Sequence, residues 1–135
     1  MALEGLEHYT INCVDLDATR DFYRDVLGLV EGFRPRLGFD GHWLYCGDVP
    51  VVHLLSVDGA LRENHGAERG GDTGSFDHIA FRGQDAAATI AKLKGRGLAF
   101  RENLIRDTGL HQVFVRDPNG IMVEMNFRNT PSNKK

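Results

Sequence analysis

Ser75-Phe76-Asp77-His78-Ile79-Ala80-Phe81 reads as a β-strand centred on a histidine, with aromatic and β-branched neighbours at a period of two. Near the amino end, Leu6-Glu7-His8-Tyr9-Thr10-Ile11-Asn12 repeats the design. A helical pattern and then further strands follow each copy. Each series closes on an apolar run with one ionisable residue, Val51-Val52-His53-Leu54-Leu55 in the first and Ile121-Met122-Val123-Glu124-Met125 in the second. His53 lies 45 positions after His8 and Glu124 lies 46 after His78, so one layout occurs twice, offset by about seventy residues.

Outward from these strands the elements fall into place. After the His8 strand, Ala18, Phe22 and Val26 with Tyr23 and Leu27 make one apolar helical stripe. Asp15 or Asp17 suits its N-cap and Gly28 its left-handed end, which predicts a helix over 17–27. Strands are expected over 29–34, 42–46 and around His53, with Gly47-Asp48-Val49-Pro50 as a turn. The second copy predicts a strand over 76–81, a helix over 85–94 with Ala86, Ile90 and Leu93 on one face, and strands over 98–102, 112–115 and 121–127. Arg116-Asp117-Pro118-Asn119-Gly120 is a turn, because Pro presets φ and Asn-Gly accepts positive φ. The fold class is α+β: two β-α-β-β-β modules, about 6–58 and 75–127, within one domain spanning 1–135. A Gly-rich, charged linker over 59–74 joins them, as a connector or as a flap, and a polar tail covers 128–135.

At 135 residues and 15.0 kDa the chain has the length of one ordinary domain. Its 16 basic and 19 acidic side chains give a net charge of −3 with no basic run before Lys134-Lys135, which argues against nucleic acid as a partner. No apolar run approaches the roughly 20 residues that span a bilayer, and the first residues do not open a signal peptide. A cytoplasmic protein is expected, with Cys13 and Cys46 as reduced core residues.

Four ionisable residues hold repeat-related places: His8 and His78 in first strands, His53 and Glu124 in last strands. Buried alone, each would lose several kcal/mol of hydration, so each needs a partner. If the modules curve into one mixed sheet around a cavity, the four converge there, and a divalent metal satisfies imidazoles and a carboxylate together. Taken singly, each histidine also reads as an ordinary hydrogen-bonded strand residue and Glu124 as an edge charge; the repeat-related placement favours the metal. Alternation sets Met122, Glu124 and Asn126 on one face of the last strand. Ten positions before His53 stands Trp43, and ten before Glu124 stands Phe114, two aromatics that suit a partly apolar ligand. His42 and His111 should face away from this side, and His65 lies in the linker.

These motifs resemble the vicinal oxygen chelate superfamily, which includes glyoxalase I, extradiol dioxygenases, fosfomycin-resistance transferases, methylmalonyl-CoA epimerase and bleomycin-binding proteins. The resemblance spans about 6–127. It rests on the His8 strand, Phe22-Tyr23 with Val26-Leu27-Gly28-Leu29, Asp77-His78-Ile79-Ala80-Phe81, and Asp117-Pro118-Asn119-Gly120 leading to Val123-Glu124. It implies His8, His78 and Glu124 as ligands of Fe(II), Mn(II), Zn(II) or Ni(II), with Trp43 and Phe114 against a small-molecule substrate held through neighbouring oxygens. Glyoxalase I usually has a Glu where this chain has His53, and the extradiol enzymes have a Tyr where it has Phe114. With His53 as acid/base, the resemblance leans toward an extradiol-dioxygenase-like activity. A glyoxalase-like lyase or isomerase with His53 as a fourth ligand is the alternative, and a metal-free drug-binding protein is a third reading. Open sheet edges predict a homodimer, in which His8 and His53 of one chain would meet His78 and Glu124 of the other.

Overall fold

In the computed structural model, the first module is a four-stranded mixed sheet of β1 (Tyr9–Cys13), β2 (Val30–Gly32), β3 (Gly41–Cys46) and β4 (Val49–Ser56), in the order β1-β4-β3-β2. β1 runs parallel to β4, whereas β3 is antiparallel to both β4 and β2. A parallel pair needs a crossover, and helix α1 (Leu16–Asp21) with a π-helical turn (Phe22–Val26) supplies part of it. The second module repeats the plan with β5 (His78–Gly83), α2 (Ala86–Gly95), β6 (Phe100–Ile105), β7 (Leu110–Arg116) and β8 (Met122–Arg128), ordered β5-β8-β7-β6. The expected β-α-β-β-β layout thus occurs twice. The chain divides into two units, Met1–Gly71 and Asp72–Lys135. The structure describes residues 5–56, 76–106 and 108–128; the predicted linker, with His65, and the tail after Arg128 lie outside them.

The first helix shows where local chemistry departs from simple periodicity. Asp15 caps it, its Oδ1 accepting from the Ala18 N–H at 3.0 Å, and Gly28 follows at φ 82°. The α-helix nonetheless ends at Asp21 and widens: the Leu27 N–H donates to the Phe22 carbonyl at 3.1 Å and the Leu29 N–H to the Tyr23 carbonyl at 2.9 Å. The wider turn changes the angular spacing, so Phe22, Tyr23 and Val26 are all buried. Thr19 heads the buried stripe in place of Ala18, which is exposed.

Each sheet buries one face. Ile11, Leu44, Val52 and Leu54 are buried in the first module, and Val113, Val115, Val123, Met125 and Phe127 in the second. α1 packs on β3 and β4, and α2 on β7. Alternation then sends Met122, Glu124 and Asn126 to the other side of β8, as the sequence predicts. Pro50 lies inside β4 rather than in a turn before it; a register shift between Leu44 and Cys46 takes up the irregularity. Cys13 is a buried free thiol as expected, but Cys46, at the end of β3, is exposed and not a core residue.

The turn into β8 is fixed by one carboxylate. Asp117 Oδ1 accepts from the N–H groups of Asn119 at 2.7 Å and Ile121 at 2.9 Å, while the Asp117 N–H donates to the Ile121 carbonyl at 2.8 Å. Gly120 supplies the positive φ, 86°. Asp117→Ala removes the acceptor for two buried donors, so a loss of about 1–3 kcal/mol is expected in chemical denaturation.

Candidate active site

The open face of the second module gathers its polar residues around Glu124. Pairing places Phe114 opposite Glu124 and Gln112 opposite Asn126 across β7 and β8, with Ala80 beside Glu124 on β5. His78, two residues before Ala80, shares this face. Glu124 is buried, at 8% exposure, and its two oxygens are used separately. Oε1 stands 3.1 Å from His78 Nε2, and Oε2 accepts from Gln112 Nε2 at 3.1 Å. Gln112 also donates to Asn126 Oδ1 at 3.3 Å and accepts from Asn103 Nδ2 at 2.9 Å, so the carboxylate sits at the end of an amide chain. His78 Nδ1 bonds to Asp77 Oδ2 at 2.6 Å. That bond, reinforced by the charge of Glu124, holds the His78 pKa above its ordinary value despite some loss of hydration.

The first module carries a stack of rings. Pairing sets Trp43 opposite His53 across β3 and β4, and Thr10 beside His53 on β1. His53 lies between two planes: His8, with ring centres 3.8 Å apart and 11° between planes, and Trp43 at 3.9 Å and 9°. Its Nε2 is 3.0 Å from the Pro50 carbonyl. A carbonyl only accepts, so Nε2 carries the proton and Nδ1 of the neutral ring keeps a lone pair. Burial, with the neighbouring His8, holds the His53 pKa below its ordinary value, opposed by the Pro50 bond. His53 is therefore a neutral imidazole at pH 7. Glu7 Oε1 meets His8 Nδ1 at 2.9 Å, the same acid-before-histidine contact as Asp77 with His78.

These distances test whether a metal fits. Two donor–metal bonds of about 2.1 Å at right angles put the donors about 3.0 Å apart. The 3.1 Å between His78 Nε2 and Glu124 Oε1 is that of a direct ion pair and would also fit one edge of such a site, and Asp77 stands where a carboxylate orienting a ligating histidine would. The stacked His8 and His53 fit differently. Near-parallel stacked rings hold their in-plane lone pairs in two offset planes, and one ion cannot lie in both, which suits one ligand beside one non-ligand better than two ligands on one ion. Among the described residues no three His, Cys, Asp or Glu side chains gather as a group that could hold a metal. The predicted residues come together as two pairs, His8 with His53 and His78 with Glu124.

Phe114 lies beneath the Arg101 guanidinium, 4.2 Å from Cζ to the ring centre. His42 and His111 face away, as alternation requires: His42 pairs with Glu31, and His111 with Glu102 at 2.9 Å. Sequence reasoning did not single out Glu7, Asp77 or Gln112. An acid directly before each first-strand histidine, His8 and His78, was the available signal for the first two, and a position two residues before Phe114 on the same face for the third.

The chain thus carries a duplicated β-α-β-β-β plan with a histidine–carboxylate pair on the open face of one module and a stacked histidine pair in the other. The chain belongs to the Glyoxalase/Bleomycin resistance protein/Dioxygenase superfamily, whose family model matches residues 5–125. It is 29% identical over 126 residues to glyoxylase I 4 of Arabidopsis thaliana, covering 91% of this chain and 70% of that one. Against lactoylglutathione lyase of Schizosaccharomyces pombe the identity is 23% over 152 residues, covering 93% of this chain and about half, 48%, of the relative. The crystal structure of lactoylglutathione lyase from Agrobacterium tumefaciens shares the fold, with TM-score 0.68, 24% identity, and 94% and 96% of the two chains covered. Among the described residues no helix is long and apolar enough to cross a membrane.

Proposed function

We propose that this chain is a divalent-metal-dependent lyase or isomerase of the glyoxalase type, with His8, His78 and Glu124 as the ligands and His53 as the proton-transferring residue. The observation that carries this reading is the state of His53: its Nε2–H is committed to the Pro50 carbonyl, and Nδ1 is left as a proton acceptor. A bound cation would supply Lewis-acid polarisation of a substrate oxygen. His53 then takes a proton from the adjacent carbon and returns it, in the place where glyoxalase I usually has a carboxylate. Trp43 holds the imidazole from one side, and Gln112 keeps Glu124 from turning. Trp43 and Phe114 would contact the apolar part of the substrate.

The similarity to proteins named as glyoxalases and lactoylglutathione lyases supports placing this reading ahead of the dioxygenase one. Extradiol-type ring cleavage is the second reading, favoured by the two-imidazole, one-carboxylate ligand set. Phe114, with no hydroxyl, offers no hydrogen bond to a catecholate. The test is anaerobic reconstitution with Ni(II), Zn(II) or Fe(II), followed by assay with a hemithioacetal and, in air, with catechols. Turnover of the hemithioacetal by Ni(II) or Zn(II) protein is expected. Yellow ring-fission products from Fe(II) protein, with no hemithioacetal turnover, would replace this reading by the second.

The proposal includes a homodimer, supported by large apolar side chains exposed on the first module, Val30 at 64% and Phe33 at 76%. Light scattering at micromolar concentration should give twice the chain mass, and a monomer would rule the dimer out. A reducing, cytoplasmic setting suits the exposed free thiol of Cys46.

A further inference from the structure

At the β2–β3 end of the first module a cavity of about 560 Å³ is lined by Arg34, Arg36, Phe39, Asp40 and Ser56, among others. Arg34 is half-buried and held in one pose. Its Nη2 donates to the Phe39 carbonyl at 3.1 Å, and its Cζ lies 5.3 Å from the centre of the Phe39 ring. It also lies across Gly41: a Cβ there would stand 2.7 Å from Arg34 Nη2. The Leu54 carbonyl stands closer still to that position, so the strand backbone itself requires the glycine, and the guanidinium lies over the space it leaves.

This arrangement leaves a positive charge without compensation. Arg34 Nε is buried and has no hydrogen-bond partner. Although Asp40 also lines the cavity, among the described residues no carboxylate lies within ion-pair distance of Arg34 or Arg36. A guanidinium taken partly out of water, with one carbonyl as its acceptor, is costly unless an anion joins it. Its planar fork, already oriented by the ring, the carbonyl and Gly41, matches a carboxylate in a two-point bond.

We propose that Arg34, with Arg36 beside it, is a binding site for the carboxylate of a small organic acid. Gly41 and Trp43 are two apart on β3, and Trp43 pairs with His53, so the guanidinium crossing Gly41 lies on the sheet face that carries His53. The acid is then the anionic end of the substrate; that consequence rests on the proposed function, whereas the binding site itself does not.

Binding is tested on the metal-free full-length protein by calorimetric titration with succinate and, separately, inorganic phosphate. Saturable succinate binding is expected. Arg34→Gln should weaken it about tenfold or more, as loss of charged hydrogen bonds does. Arg34→Lys should also weaken it, because the charge stays and the fork is lost. Arg36→Gln, at an exposed position, keeps the site open to test if Arg34→Gln fails to fold, and should weaken succinate several-fold. Binding of phosphate in preference to succinate would overturn the carboxylate assignment. No saturable succinate binding by the wild type, or equal affinity in the folded variants, would overturn the site. Because no metal is present, these outcomes leave the metal-centre reading to be judged separately.

Discussion

His53→Gln is expected to lower turnover by about 10²–10⁴-fold, the range supplied by one positioned acid or base, while leaving metal affinity within a few-fold of wild type. Glutamine keeps an amide N–H that can still reach the Pro50 carbonyl, and it removes the lone pair at Nδ1. The effect should therefore appear in kcat rather than in folding. Metal titration and steady-state kinetics on the same preparation separate the two roles. Metal affinity falling together with turnover would make His53 a ligand, the role in the alternative reading of the sequence. Unchanged kcat would remove it from the chemistry.

The second large effect is expected at His78. His78→Ala takes away one of the two donors whose separation would fit an edge of a coordination site, and it leaves Glu124 buried with the Gln112 amide donating to it. Divalent-metal affinity should fall by about 100-fold or more, since loss of an orienting partner alone costs about 10–100-fold. Gln112 continues to hold the other carboxylate oxygen, so Glu124 remains in place and the fold is kept. Elemental analysis after gentle purification reads the result, with circular dichroism to confirm folding. Near-stoichiometric metal in the variant would remove His78 from the ligand set.

Much of this arrangement is legible in the sequence because duplication writes it twice. The spacing from His8 to His53 and from His78 to Glu124 gives the module boundaries. Counting ten residues back finds true cross-strand partners, since Trp43 pairs with His53 and Phe114 with Glu124. Alternation correctly turns His42 and His111 to the other face. What escapes the sequence are contacts set by three-dimensional detail. The π-helical turn over Phe22–Val26 depends on packing that a 3.6-residue stripe does not encode. The bond from His53 to Pro50 depends on Pro50 lying in the strand, where local chemistry suggested a turn. Gln112 looks like one of many polar strand residues until pairing brings it to Glu124. Arg34 draws no notice beside the histidines, because the cost of its position comes from an unpartnered buried Nε that no motif records.

The central claim is that His8, His78 and Glu124 hold one divalent ion per chain. Its most direct test is a calorimetric titration of the metal-free full-length protein with Zn(II), run beside His78→Ala. Saturation at one ion per chain is expected in the wild type, and loss of that binding in the variant. No saturable binding by the wild type, or binding that His78→Ala leaves unchanged, would contradict it.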